Sequence, residues 1–303
     1  MSPITIEAPA EVSLGIGKKR AVVISGTGTY FSGWATGYLR TLLRAAIELD
    51  SADLVIGSSS GALPAAALAG GRLQRLSREI NVLGHAPMRR ASMNQDSPPT
   101  PSQMRARKRL GAISTPDPAS IMSLGRAAAA AHNQPPSEFL KSVRMLEGMD
   151  AWPNGALYIV AIDCYTGERV VVSVDTGIPI FAACAASMSL PGHNGPIWLN
   201  DRLCMDGNLG SSSAHLDLAA GAERVIVLAA ENRRDETREA SGLPNTVELE
   251  ATELASTGSK TMLITAMLDP ELDPFDHSLT AQGMQDGSLQ AEEEFTDVVN
   301  FWE

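Results

Sequence analysis

This chain of 303 residues is short of cysteine, of long apolar runs and of positive charge, and each shortage removes a class of protein. No stretch of eighteen or more apolar residues occurs, so no helical membrane span is expected. Met1-Ser2-Pro3-Ile4-Thr5-Ile6-Glu7 lacks a basic region followed by an apolar core and does not read as a signal peptide. Only three cysteines are present (Cys164, Cys184 and Cys204), with no C-x-x-C and no metal-ligand spacing. They give neither a disulfide framework nor a metal site, and each lies in or beside an apolar run, as a buried small hydrophobe does. The expected setting is reducing and cytoplasmic. A net charge of −11 disfavours nucleic acid and general adhesion to anionic surfaces.

The charge is uneven. Between Arg72 and Arg126 ten basic residues (72, 75, 78, 89, 90, 105, 107, 108, 109 and 126) stand against three acids, Glu79, Asp96 and Asp117. Prolines at 87, 98, 99, 101, 116, 118, 135 and 136 interrupt the same region. Residues 72–136 therefore read as a basic, proline-rich, lid-like insertion, with short helices near 103–110 and 119–131. Its basic part, 72–126, is a candidate for peripheral contact with an anionic membrane, and a solvated face is the plainer alternative.

What is present is an alternation of strands and helices. Ala21–Ser25 is a β-branched run, Gly33–Leu49 has helical spacing, Asp53–Ile56 is a second apolar run, and Ser60–Leu76 reads as a helix softened by Gly70-Gly71. That order predicts an α/β fold with a parallel sheet. Residues 156–163 and 169–174 read as a hairpin, 180–189 as a small-residue helix, 197–199 and 202–205 as short strands, and 224–230 as a late buried strand. Residues 246–267 read as one helix, and the acidic tail from Asp269 as a further helix over 278–295. The organisation expected is a single domain over 1–303, its core at about 20–235 and its acidic helical tail at about 269–303.

Within this frame, Gly57-Ser58-Ser59-Ser60-Gly61 follows the second apolar run directly and precedes an Ala/Leu-rich segment. A G-x-S-x-G between strand and helix is the pattern of a nucleophile elbow, in which Gly57 and Gly61 permit a tight turn that presents Ser59. A Gly/Ser loop before an ordinary helix gives the same five letters; the flanking elements favour the elbow. Serine hydrolysis also needs oxyanion donors and a base. Gly26-Thr27-Gly28, just after the first strand, supplies candidate backbone N–H donors, with a purely structural turn as the alternative. It is not a nucleotide loop, because G-T-G-T-Y-F does not match G-x-G-x-x-G and no Walker lysine follows. None of the histidines (85, 132, 193, 215 and 277) stands in a triad context, His193 being the best placed. Asp206, ending the strand Leu203-Cys204-Met205 and followed by Gly207-Asn208, is the stronger base candidate, although an Asp-Gly pair is also ordinary turn chemistry.

Together these blocks resemble the patatin-like phospholipases, a family of lipid acyl hydrolases. The first block is Val23-Ile24-Ser25-Gly26-Thr27-Gly28, with Gly37–Leu42 similar to the helix behind it. The elbow, Ala161–Glu168, Ala182–Gly192, Asp206-Gly207-Asn208 and Ala222–Leu228 follow in the family's order, over about residues 20–230. The resemblance implies a three-layer αβα sandwich with a mainly parallel central sheet and a lid-like insertion. It further implies a Ser59–Asp206 dyad working through an acyl-enzyme, with Gly26, Thr27 and Gly28 as oxyanion donors. No metal or cofactor is implied, and the substrate is a lipid or other acyl ester. Tyr30, Phe31 and Trp34, just beyond the oxyanion loop, are candidates to line an acyl pocket, or to pack against the sheet. Two departures stand out: the family's Gly-Gly-Gly-x-Arg-Gly reads Gly26-Thr27-Gly28-Thr29-Tyr30-Phe31, without the arginine, and its Asp-Gly-Gly or Asp-Gly-Ala reads Asp206-Gly207-Asn208. Asn is expected there as a stand-in for Gly in a turn. An acyltransferase on the same dyad, and a non-catalytic lipid- or partner-binding relative, are the competing readings.

Overall fold

A computed structural model describes residues 13–84, 98–149, 151–153, 155–230, 243–269 and 271–303. The N-terminal heptapeptide, His85, Arg89, Arg90 and Asp96 lie outside the described residues. Five parallel strands form the centre of the sheet: β3 (Leu157–Asp163), β2 (Leu54–Ser59), β1 (Arg20–Gly26), β7 (Arg224–Ala230) and β8 (Lys260–Ala266), in that spatial order. Beyond β3 the sheet continues antiparallel through β6 (Arg202–Met205) to β5 (Ile197–Leu199), and β4 (Arg169–Val172) closes a hairpin on β3. Sequential strands are parallel only where a helix intervenes, as a crossover connection requires.

The strands are buried on both faces, so their side chains feed two cores. Val22 and Ile24 of β1 pack with helices α1 (Gly28–Arg44), α2 (Ala62–Ala69) and α3 (Leu73–Gly84). Ala21 and Val23 face the opposite core, under a 3₁₀ turn (Leu216–Ala219) and the later helix α8 (Val247–Ser256). The result is an α/β architecture with helices on both sides of a mainly parallel sheet. The helix expected over 60–76 is broken into α2 and α3 at Gly71, which lies at φ +63°.

The described part of the basic stretch folds as helices against the sheet. Thr100 accepts from Gln103 N, with Gln103 reaching back to the Thr100 N–H, and Pro101 opens helix α4 (Pro101–Gly111). Asp117 caps helix α5 (Pro118–Ala130) through Ser120 N. Leu110 of α4, Ile113 of the connection, and Ile121 and Leu124 of α5 cluster with Ile162, Cys164, Leu203 and Met205. Helix α6 (Pro136–Glu147) ends at Gly148 in the left-handed region, and α7 (Ile180–Ser187) is almost wholly small and apolar.

One expectation for the C-terminal third needs correction. Residues 246–267 are not one helix: α8 stops at Ser256, Gly258 turns the chain at φ +97°, and 260–266 join the sheet as β8 beside β7. The helix expected over 278–295 is present as α9 (Thr280–Glu293), and α10 (Phe295–Trp302) follows it. A Cβ on Gly33 or Gly37 of α1 would lie 2.0 Å from a carbonyl oxygen of the 280–284 turn, and one on Gly283 or Gly287 would lie 2.3 or 2.1 Å from a carbonyl of α1. The two helices therefore touch backbone to backbone.

Candidate active site

Strands β1 and β2 run parallel with Gly26 paired to Ser59, so both strands end at one edge of the sheet and both helices that follow begin there. That placement is what an open α/β sheet offers a ligand. Ser59 ends β2 at φ +49°, a left-handed conformation that costs a residue with a Cβ about 1 kcal/mol or more. The turn closes with Gly61 N–H donating to Ser58 O at 2.9 Å. A side chain at Gly61 would meet Ile24 O at 2.1 Å, and one at Gly57 would meet the Ala65 methyl at 2.6 Å. These contacts press the elbow against β1 and α2 against the strand.

The Ser59 hydroxyl donates to Asp206 Oδ2 at 2.7 Å, across 147 positions of sequence. The other carboxylate oxygen accepts the Asn208 N–H at 2.9 Å. Asp206 enters this position from β6 because its own N–H donates to Ser189 O at 3.0 Å. It is 3 % exposed and Ser59 8 %. Burial pushes the Asp206 carboxyl up to about 6, and the hydrogen bonds from Ser59 and Asn208 pull partly the other way.

Gly26 is buried, Thr27 is exposed and Gly28, at φ +79°, begins α1. The loop thus passes from strand into helix N-terminus beside Ser59, where the helix dipole favours negative charge. Asn208 does not take the left-handed conformation for which Asn commonly replaces Gly. Instead its Nδ2 donates to Gly26 O at 3.3 Å, while the Ser25 hydroxyl is shared between Asn208 Oδ1 at 3.3 Å and Ser213 O at 2.5 Å. The loop of residues 212–216 is held in turn by Glu250 of α8, which accepts from the Ser212 hydroxyl and from the N–H groups of Ser213, Ala214 and Leu216.

Phe31 lies with its ring against Gly26. Tyr30 and Trp34 point elsewhere: the Tyr30 hydroxyl donates to Asp286 at 2.9 Å and Trp34 Nε1 to Gln290 at 2.9 Å, both on α9. All three side chains are at most 3 % exposed. For Tyr30 and Trp34 the acyl-pocket expectation gives way to packing, because helix α9 occupies the face they present.

Of the histidines, His215 is fully buried at φ +57° with Nε2 2.7 Å from Gly207 O. His193 stacks near Phe275 with ring centroids 5.0 Å apart, and burial, with Arg107 and His277 nearby, pushes it down to about 4. Arg107 of α4 donates from Nε to Gly192 O at 2.9 Å, docking the basic helix on the loop that precedes β5. Pro274 O accepts the Tyr30 N–H at 3.2 Å, so the segment before α9 crosses the start of α1. Ser25 and Ser187 fall inside blocks of the family resemblance without a role of their own there, Ser213 and Glu250 fall outside them, and none of the four is marked by the sequence as a neighbour of Ser59 and Asp206. Among the described residues no group of three or more His, Cys, Asp or Glu side chains is gathered to hold a metal ion. Nor is any helix among them long and apolar enough to cross a membrane.

No protein-family profile matches the chain, and no curated protein matches it. Solved structures similar in fold include VipD from Legionella pneumophila, at 14% identity and a TM-score of 0.42, covering 92% of this chain and 67% of VipD. Another is the type III effector protein ExoU, at 16% identity and a TM-score of 0.36, covering 90% of this chain and 53% of ExoU. The chain thus spans about half the ExoU length. Likenesses of this size carry no argument about activity.

Proposed function

We propose that the chain is a patatin-like serine acyl hydrolase acting on lipid or related esters through a Ser59–Asp206 dyad. The observation that carries this reading is the 2.7 Å bond from Ser59 Oγ to a buried carboxylate, made by a serine on a strained strand-to-helix turn. A carboxylate whose proton affinity is raised by burial is matched to accepting a hydroxyl proton near neutrality. Ser59 Oγ attacks the ester carbonyl as its proton passes to Asp206 Oδ2. The tetrahedral oxyanion takes hydrogen bonds from N–H groups of the Gly26-Thr27-Gly28 loop. The intermediate collapses by breaking the C–O bond, and the proton on Asp206 goes to the leaving alkoxide. A water then gives its proton to Asp206 and attacks the acyl-enzyme, and the proton returns to Ser59 as the fatty acid leaves.

A fluorophosphonate probe and short-chain nitrophenyl esters test the reading. Wild type is expected to be labelled and to turn over ester, Ser59→Ala to lose both, and Asp206→Asn to lose turnover by roughly 10²–10⁴-fold, the range of general-base catalysis. Equal ester turnover in all three proteins would place the chemistry elsewhere. Absence of labelling in folded wild type would favour a binding protein on the same fold.

A further inference from the structure

We propose that Ser187 is a positioning residue that locks the backbone of the nucleophile and the loop of the base into one register; this rests on the Ser59–Asp206 reading above. Ser187 is the last residue of α7 and is wholly buried. Its hydroxyl oxygen accepts the N–H of Ser59 at 2.8 Å and its hydroxyl proton goes to Val160 O at 2.5 Å. Its carbonyl accepts the N–H of Gly207, the residue after Asp206, at 3.0 Å. One residue therefore holds both arms of the dyad, the nucleophile through its side chain and the base through its main chain.

Three features give these bonds a role beyond packing. Ser59 sits at φ +49°, a conformation that persists only where its surroundings over-determine it. Its N–H is buried, and without the Ser187 oxygen that donor has no partner, so the turn gains a reason to relax. Rotation of the Ser59 backbone swings Oγ away from Asp206 Oδ2. Val160 lies on β3 opposite Ser58 of β2, so the second Ser187 bond references the elbow to the sheet itself. The base turn has no slack on this side: a Cβ at Gly207 would fall 2.3 Å from Val160 O and 3.1 Å from Ser187 Oγ.

The test compares Ser187→Ala with Ser187→Thr, which keeps the hydroxyl, in full-length protein. Readouts are kcat, KM and the pH dependence of kcat on a short nitrophenyl ester, with thermal melting to measure the folded fraction. Ser187→Ala is expected to lower kcat roughly 10–100-fold, as loss of reactive alignment does, with KM within about twofold. The Ser59 bond lowers the proton affinity of Asp206, so the acid limb of the profile is expected to move to higher pH in Ser187→Ala and to return in Ser187→Thr. If Ser187→Ala does not fold, Ser187→Cys, close in shape and a weaker acceptor, takes its place in the same comparison. Wild-type kcat in Ser187→Ala, or a loss that tracks only the unfolded fraction with the acid limb unmoved, would overturn the proposal. The Ser59→Ala and Asp206→Asn proteins separate this failure from that of the dyad: if they retain activity, the reading beneath has failed, whatever Ser187 does.

Discussion

The Asp206 carboxyl meets two opposed influences, removal from water and two donated hydrogen bonds, and removal from water is the larger. An aspartate titrating near 3.8 in the unfolded chain and near 6 in the fold binds its proton more tightly when folded. Folding is thus unpenalised below about pH 4 and carries the cost of an ionised buried carboxylate above about pH 6, on the order of 3 kcal/mol. Two outcomes follow from the one shift. As a base, Asp206 must be ionised, so kcat/KM should rise with pH through about 6 and level off above it. As a buried charge it should be destabilising, so Asp206→Asn, inactive, should melt higher than wild type at pH 8 by on the order of 5 °C, and the gain should vanish towards pH 4. A neutral amide suits the site, since its oxygen accepts from Asn208 N–H and its nitrogen donates to Ser59. A pH-independent melting difference would contradict the assigned burial cost. At this scale Ser59 and Asp206 were legible because each sits in a pattern of turn residues directly after an apolar run. Ser187 and Ser25 were not, because a serine that accepts a buried N–H, or donates to a buried carbonyl, looks in sequence like any serine. Asn208 was noticed for the wrong reason: its side chain, not its backbone freedom, ties the base turn to Gly26.

Helices α1 and α9 approach until peptide groups touch, and the aromatic residues of α1 find their polar partners on α9 because of that approach. Tyr30, Trp34 and Tyr38 donate to Asp286, Gln290 and Glu294, a run of acceptors spaced four residues apart along one face of the partner helix. The spacing in α1 is likewise four, so the ladder is in register only while the backbones stay close. A Cβ at Gly287 would lie 2.1 Å from Trp34 O, a carbonyl that cannot rotate away. Gly287→Val should therefore push α9 outward, weaken all three bonds together and destabilise the protein by roughly 1–3 kcal/mol or more, the cost of overpacking. Chemical denaturation reads this directly, and an unchanged midpoint would mean that α9 contributes little to the α1 interface. The helix itself was legible over 278–295, but its docking was not, because Tyr30, Trp34 and Tyr38 meet partners some 250 residues away in sequence. The same non-locality hid β8. Lys260–Ala266 holds Met, Leu and Ala, good helix formers, and only the pairing with β7 makes it a strand. The strands β1, β2 and β7 were legible because burial on both faces leaves an unbroken apolar run, a signal that needs no partner to be read.

For the molecule as a whole, one loop joins the base to a basic helix. The loop that receives the Asp206 N–H at Ser189 continues through Gly192, where Arg107 of α4 is docked, and on that helix Arg105, Lys108 and Arg109 are exposed. In a chain of net charge −11 this helix is a local reversal of sign. These exposed basic side chains would favour contact between α4 and an anionic bilayer. Each basic residue near such a surface contributes about 1 kcal/mol, so three exposed residues amount to roughly a hundredfold in partitioning. The attraction acts over about 10 Å at 0.1 M salt, which makes it strongly dependent on ionic strength. Sedimentation with vesicles should therefore show binding to phosphatidylserine-containing but not to pure phosphatidylcholine bilayers. Binding should weaken severalfold as salt rises from about 0.05 to 0.5 M. The triple change Arg105→Glu, Lys108→Glu and Arg109→Glu should abolish the anionic preference, while labelling of Ser59 by a soluble fluorophosphonate stays at the wild-type rate. Loss of labelling in that variant would show that these side chains serve the site itself, and equal binding to both kinds of vesicle would show that charge does not direct the contact.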